Sequence, residues 1–161
     1  MDLEDNLRAA GLLIITDTML SRVNENSAKG RRTHLFIDEF HVVFSNEHSA
    51  RFFSSAWRQF RKRNACPTAI TQNVDTVLES AEARTILSNS EFIVMLSQAA
   101  TDREKLAELL KISPEQLGYI SGSVPGSGLI KYSGSLIPFV NRFPKDTKLY
   151  RLMTTTPGEI F

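Results

Sequence analysis

The sequence predicts an α/β fold: a mostly parallel sheet with a small antiparallel hairpin near its C-terminal end. Two observations carry this. Short apolar runs, THLFI at 33–37, TAITQN at 68–73 and EFIVML at 91–96, alternate with stretches whose apolar residues recur every three or four positions. Strands separated by helices pair in parallel through crossover connections. Further on, GLIKYSGSLIPFVN at 128–141 has the pattern of two strands joined around Ser133 and Gly134.

Each element follows from local chemistry. Between residues 2 and 26, Leu3, Leu7, Leu13, Ile14, Met19, Leu20 and Val23 fall at helical spacings, with an interruption expected near Gly11. The polar NENSAKGRR then reads as a loop. THLFI is apolar through its centre, as a strand buried on both faces would be. Ser45 or Asn46 can cap a helix over 47–64, whose Phe52, Phe53, Ala56, Trp57 and Phe60 form one apolar stripe suited to core packing. After Pro67 come the 68–73 strand, a small helix over 82–90 and the 91–96 strand. A helix over 101–112 capped by Thr101 or Asp102 follows, then a short one over 113–117 with Pro114 at its first position. KLYRLM at 148–153 is the last strand candidate.

Composition sets the bounds. At 161 residues, 42% of them hydrophobic and ten of them Phe, the chain suits one domain or a large piece of one and is read as one unit over 1–161. Nineteen basic residues nearly cancel eighteen acidic ones, so no global field selects a polyanionic partner, although local patches can. Cys66, the single cysteine, cannot form an internal disulfide and is expected to be a small buried apolar residue in a reducing cytosol. The acidic start MDLEDNLRAAG does not resemble an export signal, and no apolar run reaches the ~20 residues of a membrane span. His34, His41 and His48 recur at intervals of seven but fall in different elements, so a zinc site is not favoured. No G-x-S-x-G elbow presents a serine nucleophile.

Asp38 and Glu39 end the apolar strand at 33–37, and a strand that runs into two carboxylates asks for a ligand or for water. In P-loop proteins an aspartate at this point holds a magnesium-bound water and the next carboxylate polarises the attacking water, the Walker B arrangement. Ordinary strand ends also carry solvated acids. Gln72 closes the next strand, and adjacent parallel strands bring their C-terminal ends to one crevice, where an amide can donate to a γ-phosphate or to that water. Between these elements lie Arg58, Arg61, Lys62 and Arg63. Three readings of that run are open: a solvated helix face, an arginine supplied to a neighbouring subunit's nucleotide, and contact with DNA phosphates.

GRRTHLFIDEFHVVF, WRQFRKRNACPTAITQNV, EFIVMLSQAATDREKLAELLKISPEQLGYI and GSGLIKYSGSLIPFVNRFP occur in the same order as in a known family. They resemble the C-terminal part of the conjugation ATPases of type IV secretion systems. These are the fourth VirB protein and its TraC/TraE/ConE-like relatives, within the HerA/FtsK branch of RecA-like P-loop motors. The resemblance implies a RecA-like P-loop NTPase sheet in its C-terminal portion. It also implies ATP and magnesium as cofactors, a hexameric parent, and partners among conjugation proteins at the inner face of the cell membrane. By motif, Asp38 and Glu39 match the Walker B pair, with magnesium on Asp38 through water. Arg61 and Lys62 match the basic motif, with Arg58 and Arg63 as neighbouring candidates for the arginine acting in trans. Gln72 matches the strand-end glutamine, and Gln98 is a further candidate sensor. The chain contains no G-x-x-x-x-G-K-[ST] loop, so it is expected to be a fragment lacking its Walker A half and to bind ATP poorly alone. The alternative is a non-catalytic module of the same machinery that docks DNA or protein.

Overall fold

Helix α1 (Leu3–Ala28) runs without interruption through Gly11 and delivers the chain, by way of a left-handed Gly30, to strand β1 (Thr33–Ile37). The computed structural model describes residues 3–122 and 124–155, so Met1, Asp2, Ser123 and residues 156–161 lie outside the description. Two compact units are present, Met1–Ser90 and Glu91–Phe161. No helix among the described residues is long and apolar enough to cross a membrane.

In the first unit, β1 is followed by a 3-10 turn (Phe40–Ser45) and helix α2 (Glu47–Phe60). Asn46 caps α2, its Oδ1 accepting from the backbone N–H groups of His48 at 2.9 Å and Ser49 at 3.3 Å. Removing such a cap costs about 1 kcal/mol. Asn46→Ala is therefore expected to lower the stability of this unit by that amount, as measured by chemical unfolding. Helix α2 ends in a 3-10 turn (Arg61–Arg63) and a left-handed Asn64 at φ 53°. Strand β2 (Ala65–Ala69) then pairs in parallel with β1, Thr33 opposite Ala65 and Ile37 opposite Ala69. Helices α3 (Val74–Glu79) and α4 (Ala81–Ser88) complete the unit.

The α2 stripe is core, as its spacing predicts. Phe60 and Ala56 pack with Val23 and Ala65, while Phe53 packs with Phe40, Val43 and Ile86. Two expectations about β1 and β2 need correction. β1 is not buried on both faces: His34 and Phe36 face solvent, because only the Leu35 and Ile37 face meets the helices. β2 starts three residues earlier than TAITQN and leaves Cys66 exposed.

In the second unit, β3 (Phe92–Met95), α5 (Ala100–Leu110) and α6 (Pro114–Leu117) precede β4 (Ser127–Tyr132) and β5 (Ser135–Val140). β4 and β5 form the expected hairpin, turning at left-handed Ser133 and Gly134. β3 pairs antiparallel with β4, so it belongs to the sheet β3-β4-β5 rather than to the parallel pair. Gly128 permits this approach, because a Cβ there would overlap the Met95 carbonyl oxygen. Ser113 caps α6 in a reciprocal capping box with Gln116. α5 has no side-chain cap, since its N-cap position is Ala99 rather than Thr101 or Asp102. KLYRLM forms helix α7 (Lys148–Met153), not a strand, because the Thr147 hydroxyl caps it by accepting from the Tyr150 N–H at 3.2 Å.

Candidate functional site

The parallel register carries the ends of β1 and β2 to one rim. Past the strands, Ile70 N–H donates to Ile37 O and Phe40 N–H donates to Ile70 O, each at 2.9 Å. This ladder sets residues 38–41 beside residues 70–72. Glu39 sits in the left-handed region at φ 48° and ψ 45°, a conformation that costs a non-glycine residue roughly 1–3 kcal/mol and recurs at functional sites. The bend is supported by Asp38, whose Oδ1 accepts the Glu39 N–H at 2.9 Å.

Both oxygens of Glu39 are engaged. Gln72 Nε2 donates to Oε1 at 3.0 Å, and His41 Nδ1 lies 3.3 Å from Oε2. Thr71 Oγ1 lies 3.4 Å from the same His41 nitrogen and accepts the Asn73 N–H at 3.2 Å. Glu39 and Gln72, separated by 33 positions, thus meet directly. Glu39 and Gln72 are legible as candidates in the sequence, whereas the seven-residue recurrence of His34, His41 and His48 points His41 only toward an unfavoured zinc site. The signal was the D-E-x-H spacing, since a tight turn after Asp38 folds the side chain of residue 41 back toward Glu39.

The basic candidates lie elsewhere. Arg61, Lys62 and Arg63 precede β2, whereas Gln72 follows it, so they occupy the opposite end of the strand pair. At about 3.3 Å per residue, strands of five residues separate the two rims by roughly 15 Å. Arg63 is a structural brace: its guanidinium donates to Asn24 Oδ1 and to Gln59 Oε1, both at 2.7 Å. Arg58 donates from Nε to Ser54 O at 3.3 Å, one turn back on α2. Gln98 belongs to the second unit, where its Nε2 donates to Leu96 O at 3.2 Å and its backbone N–H to Ile120 O at 3.0 Å.

Among the described residues, no group of three or more His, Cys, Asp or Glu side chains could hold a metal by itself. Asp38, exposed and adjoining Glu39, suits a magnesium ion held through water and completed by phosphate oxygens, the usual mode for that ion. A phosphate cradle is a different matter, for the sequence contains no Walker A loop.

Residues 4–122 match the family model of the TraG P-loop domain. The chain belongs to the TraG P-loop domain family. The matched segment of this P-loop chain includes Asp38, Glu39, Gln72 and Gln98 and stops before the β4-β5 hairpin. VirB4 of Thermoanaerobacter pseudethanolicus has a similar structure, with a TM-score of 0.76 and 21% identity over 89% of this chain. The α/β P-loop fold expected from the sequence is thereby established. This P-loop chain spans 39% of the length of that VirB4 chain. No curated protein matches it.

Proposed function

We propose that this chain is the Walker B and sensor portion of an ATP-hydrolysing motor of a conjugative or type IV secretion system, energising channel assembly or the transport of DNA or protein. The observation that carries this reading is the 3.0 Å contact between Gln72 and Glu39 at the shared rim of two parallel strands. A strained acid is held there by an amide from one side and an imidazole from the other.

In this reading Glu39 is the base toward which the attacking water is oriented, and Asp38 would hold magnesium through a water. When bound, magnesium supplies charge neutralisation to the triphosphate. Gln72 fixes the Glu39 carboxylate through Oε1 and leaves its own carbonyl and second amide hydrogen for water or phosphate. His41 Nδ1 stands 3.3 Å from Oε2, on the other side of the carboxylate from Gln72. Gln98 is proposed as a secondary sensor. Arg61 and Lys62, with Arg58 beside them, lie on the far rim and suit an arginine donated to the next subunit of a ring rather than to the same chain's site. Arg63 is the weaker candidate, being tied to Asn24 and Gln59. We place both units in one motor domain, completed by a Walker A segment, working as a hexamer in the cytoplasm against the inner membrane face with other secretion proteins.

Calorimetric titration of the 161-residue chain with Mg-ATP is expected to give negligible heat, because the phosphate cradle is not in the sequence. Submicromolar binding by this chain alone would overturn the division of labour proposed here.

A further inference from the structure

One ring nitrogen at the Glu39 rim stands between two oxygens. His41 Nδ1 lies 3.3 Å from Glu39 Oε2 and 3.4 Å from Thr71 Oγ1. The His41 side chain is 25% exposed and that of Glu39 46%, so the imidazole is the more enclosed of the two and the carboxylate stays open to water.

The neighbours of this nitrogen decide which proton it carries. A neutral imidazole bears its hydrogen on Nδ1 or on Nε2, and the hydrogen bonds around the ring select between them. With the hydrogen on Nε2, a bare Nδ1 would turn its lone pair toward an anionic oxygen, and the Thr71 hydroxyl would have to compensate by donating to it. That hydroxyl is committed to its own turn: Oγ1 accepts the Asn73 N–H at 3.2 Å and donates to the Asn73 carbonyl oxygen at 3.5 Å. With the hydrogen on Nδ1, the ring presents a donor to the Glu39 and Thr71 oxygens, and both can accept.

We propose that His41 is a positioning residue for Glu39: its proton resides on Nδ1 and holds Oε2, opposite the Gln72 amide on Oε1. Each carboxylate oxygen keeps a second lone pair for water. The inference rests on the reading of Glu39 as the base. A neutral imidazole holds the carboxylate without cancelling its charge, whereas a protonated one sets a full positive charge beside it and weakens its pull on water. Imidazoles as a class change charge between about pH 5 and 8, so this arrangement turns hydrolysis down on the acid side. The 3-10 turn that carries His41 packs against α2 and α3. Their ionisable groups are Glu47, His48, Arg51 and Arg58 on α2 and Asp75 and Glu79 on α3. Glu47 pairs with Arg51, and Arg58 lies in the last turn of α2, toward the far rim. Asp38 and Glu39 are the acids of the rim itself, and Glu39 is the one that reaches Nδ1.

Nitrogen-15 NMR of the imidazole-labelled 161-residue chain tests the proton without any nucleotide. Neutral His41 should carry its hydrogen on Nδ1, and Glu39→Ala should move it to Nε2, because Thr71 is then the partner that remains. A neutral His41 protonated on Nε2 in the parent chain would overturn the proposal. The motor carrying this chain and a Walker A loop supplies the second test. His41→Ala should lower kcat about tenfold with the KM for Mg-ATP within about twofold, since misplacing a catalytic group acts on the chemical step. His41→Asn brings an amide close to where Nδ1 stands and should recover most of that loss, yet lack the acid-side fall in kcat that the parent shows. Parental kcat in His41→Ala, or coincident pH profiles in the parent and His41→Asn, would defeat this inference while a loss of turnover in Glu39→Gln kept the motor reading. Normal hydrolysis by Glu39→Gln would defeat the motor reading and leave the Nδ1 assignment standing.

Discussion

Glu39→Gln, in the motor carrying both this chain and a Walker A loop, is expected to retain Mg-ATP and to lose turnover by about a hundredfold to ten-thousandfold, the contribution of a positioned general base. The substitution is nearly isosteric. It keeps an oxygen for Gln72 and a polar group for His41, so the left-handed turn and the rim geometry survive. What it removes is the negative charge that, in the proposed role of Glu39, orients and deprotonates water. Single-turnover hydrolysis and nucleotide binding should therefore separate, with kcat falling and affinity unchanged. If the Gln variant turns over at the parent rate, Glu39 has no part in proton abstraction and Gln72 is only a neighbour.

Phe40→Ala should produce the largest loss of stability in the first unit. Phe40 is 3% exposed, and its ring meets Phe44 at 5.1 Å, Trp57 at 5.6 Å and Phe53 at 5.9 Å between centroids. Truncating a buried Phe costs about 3–5 kcal/mol through forfeited transfer energy and a cavity that relaxes only partly. That is a large share of the 5–15 kcal/mol, roughly, that holds an ordinary domain together. Equilibrium denaturation should show the drop directly, and a variant within about 1 kcal/mol of the parent would contradict this view of the core. The functional consequence follows from position. Phe40 is the residue after Glu39, and its N–H anchors the rim to Ile70 O, so loosening its ring releases the turn that aims the carboxylate.

Much of this was readable from local windows. The 33–37 strand matches its bounds, and the aromatic stripe of α2 packs as helical spacing requires. The hairpin turns at the expected Ser133 and Gly134. Failures occurred where windows are short or the partner is remote. KLYRLM satisfies both a strand and a helix pattern over six residues, and Thr147 capping decided it. β3 has the composition of a parallel strand, yet its ladder partner is β4, selected by the close backbone approach that Gly128 allows.

Residue types and their spacing were enough to predict the class of fold, the family resemblance and a strand end carrying Asp38 and Glu39, because periodicity, capping and strand-end chemistry act over a few residues. Proximity across tens of positions needed the folded chain. The parallel register of β1 and β2 brought Thr71 to His41 and Gln72 to Glu39, and it gathered Lys29, Arg31 and Arg32 beside Arg61, Lys62 and Arg63 at the other end. Register is a property of two strands together, so neither segment could announce its neighbour.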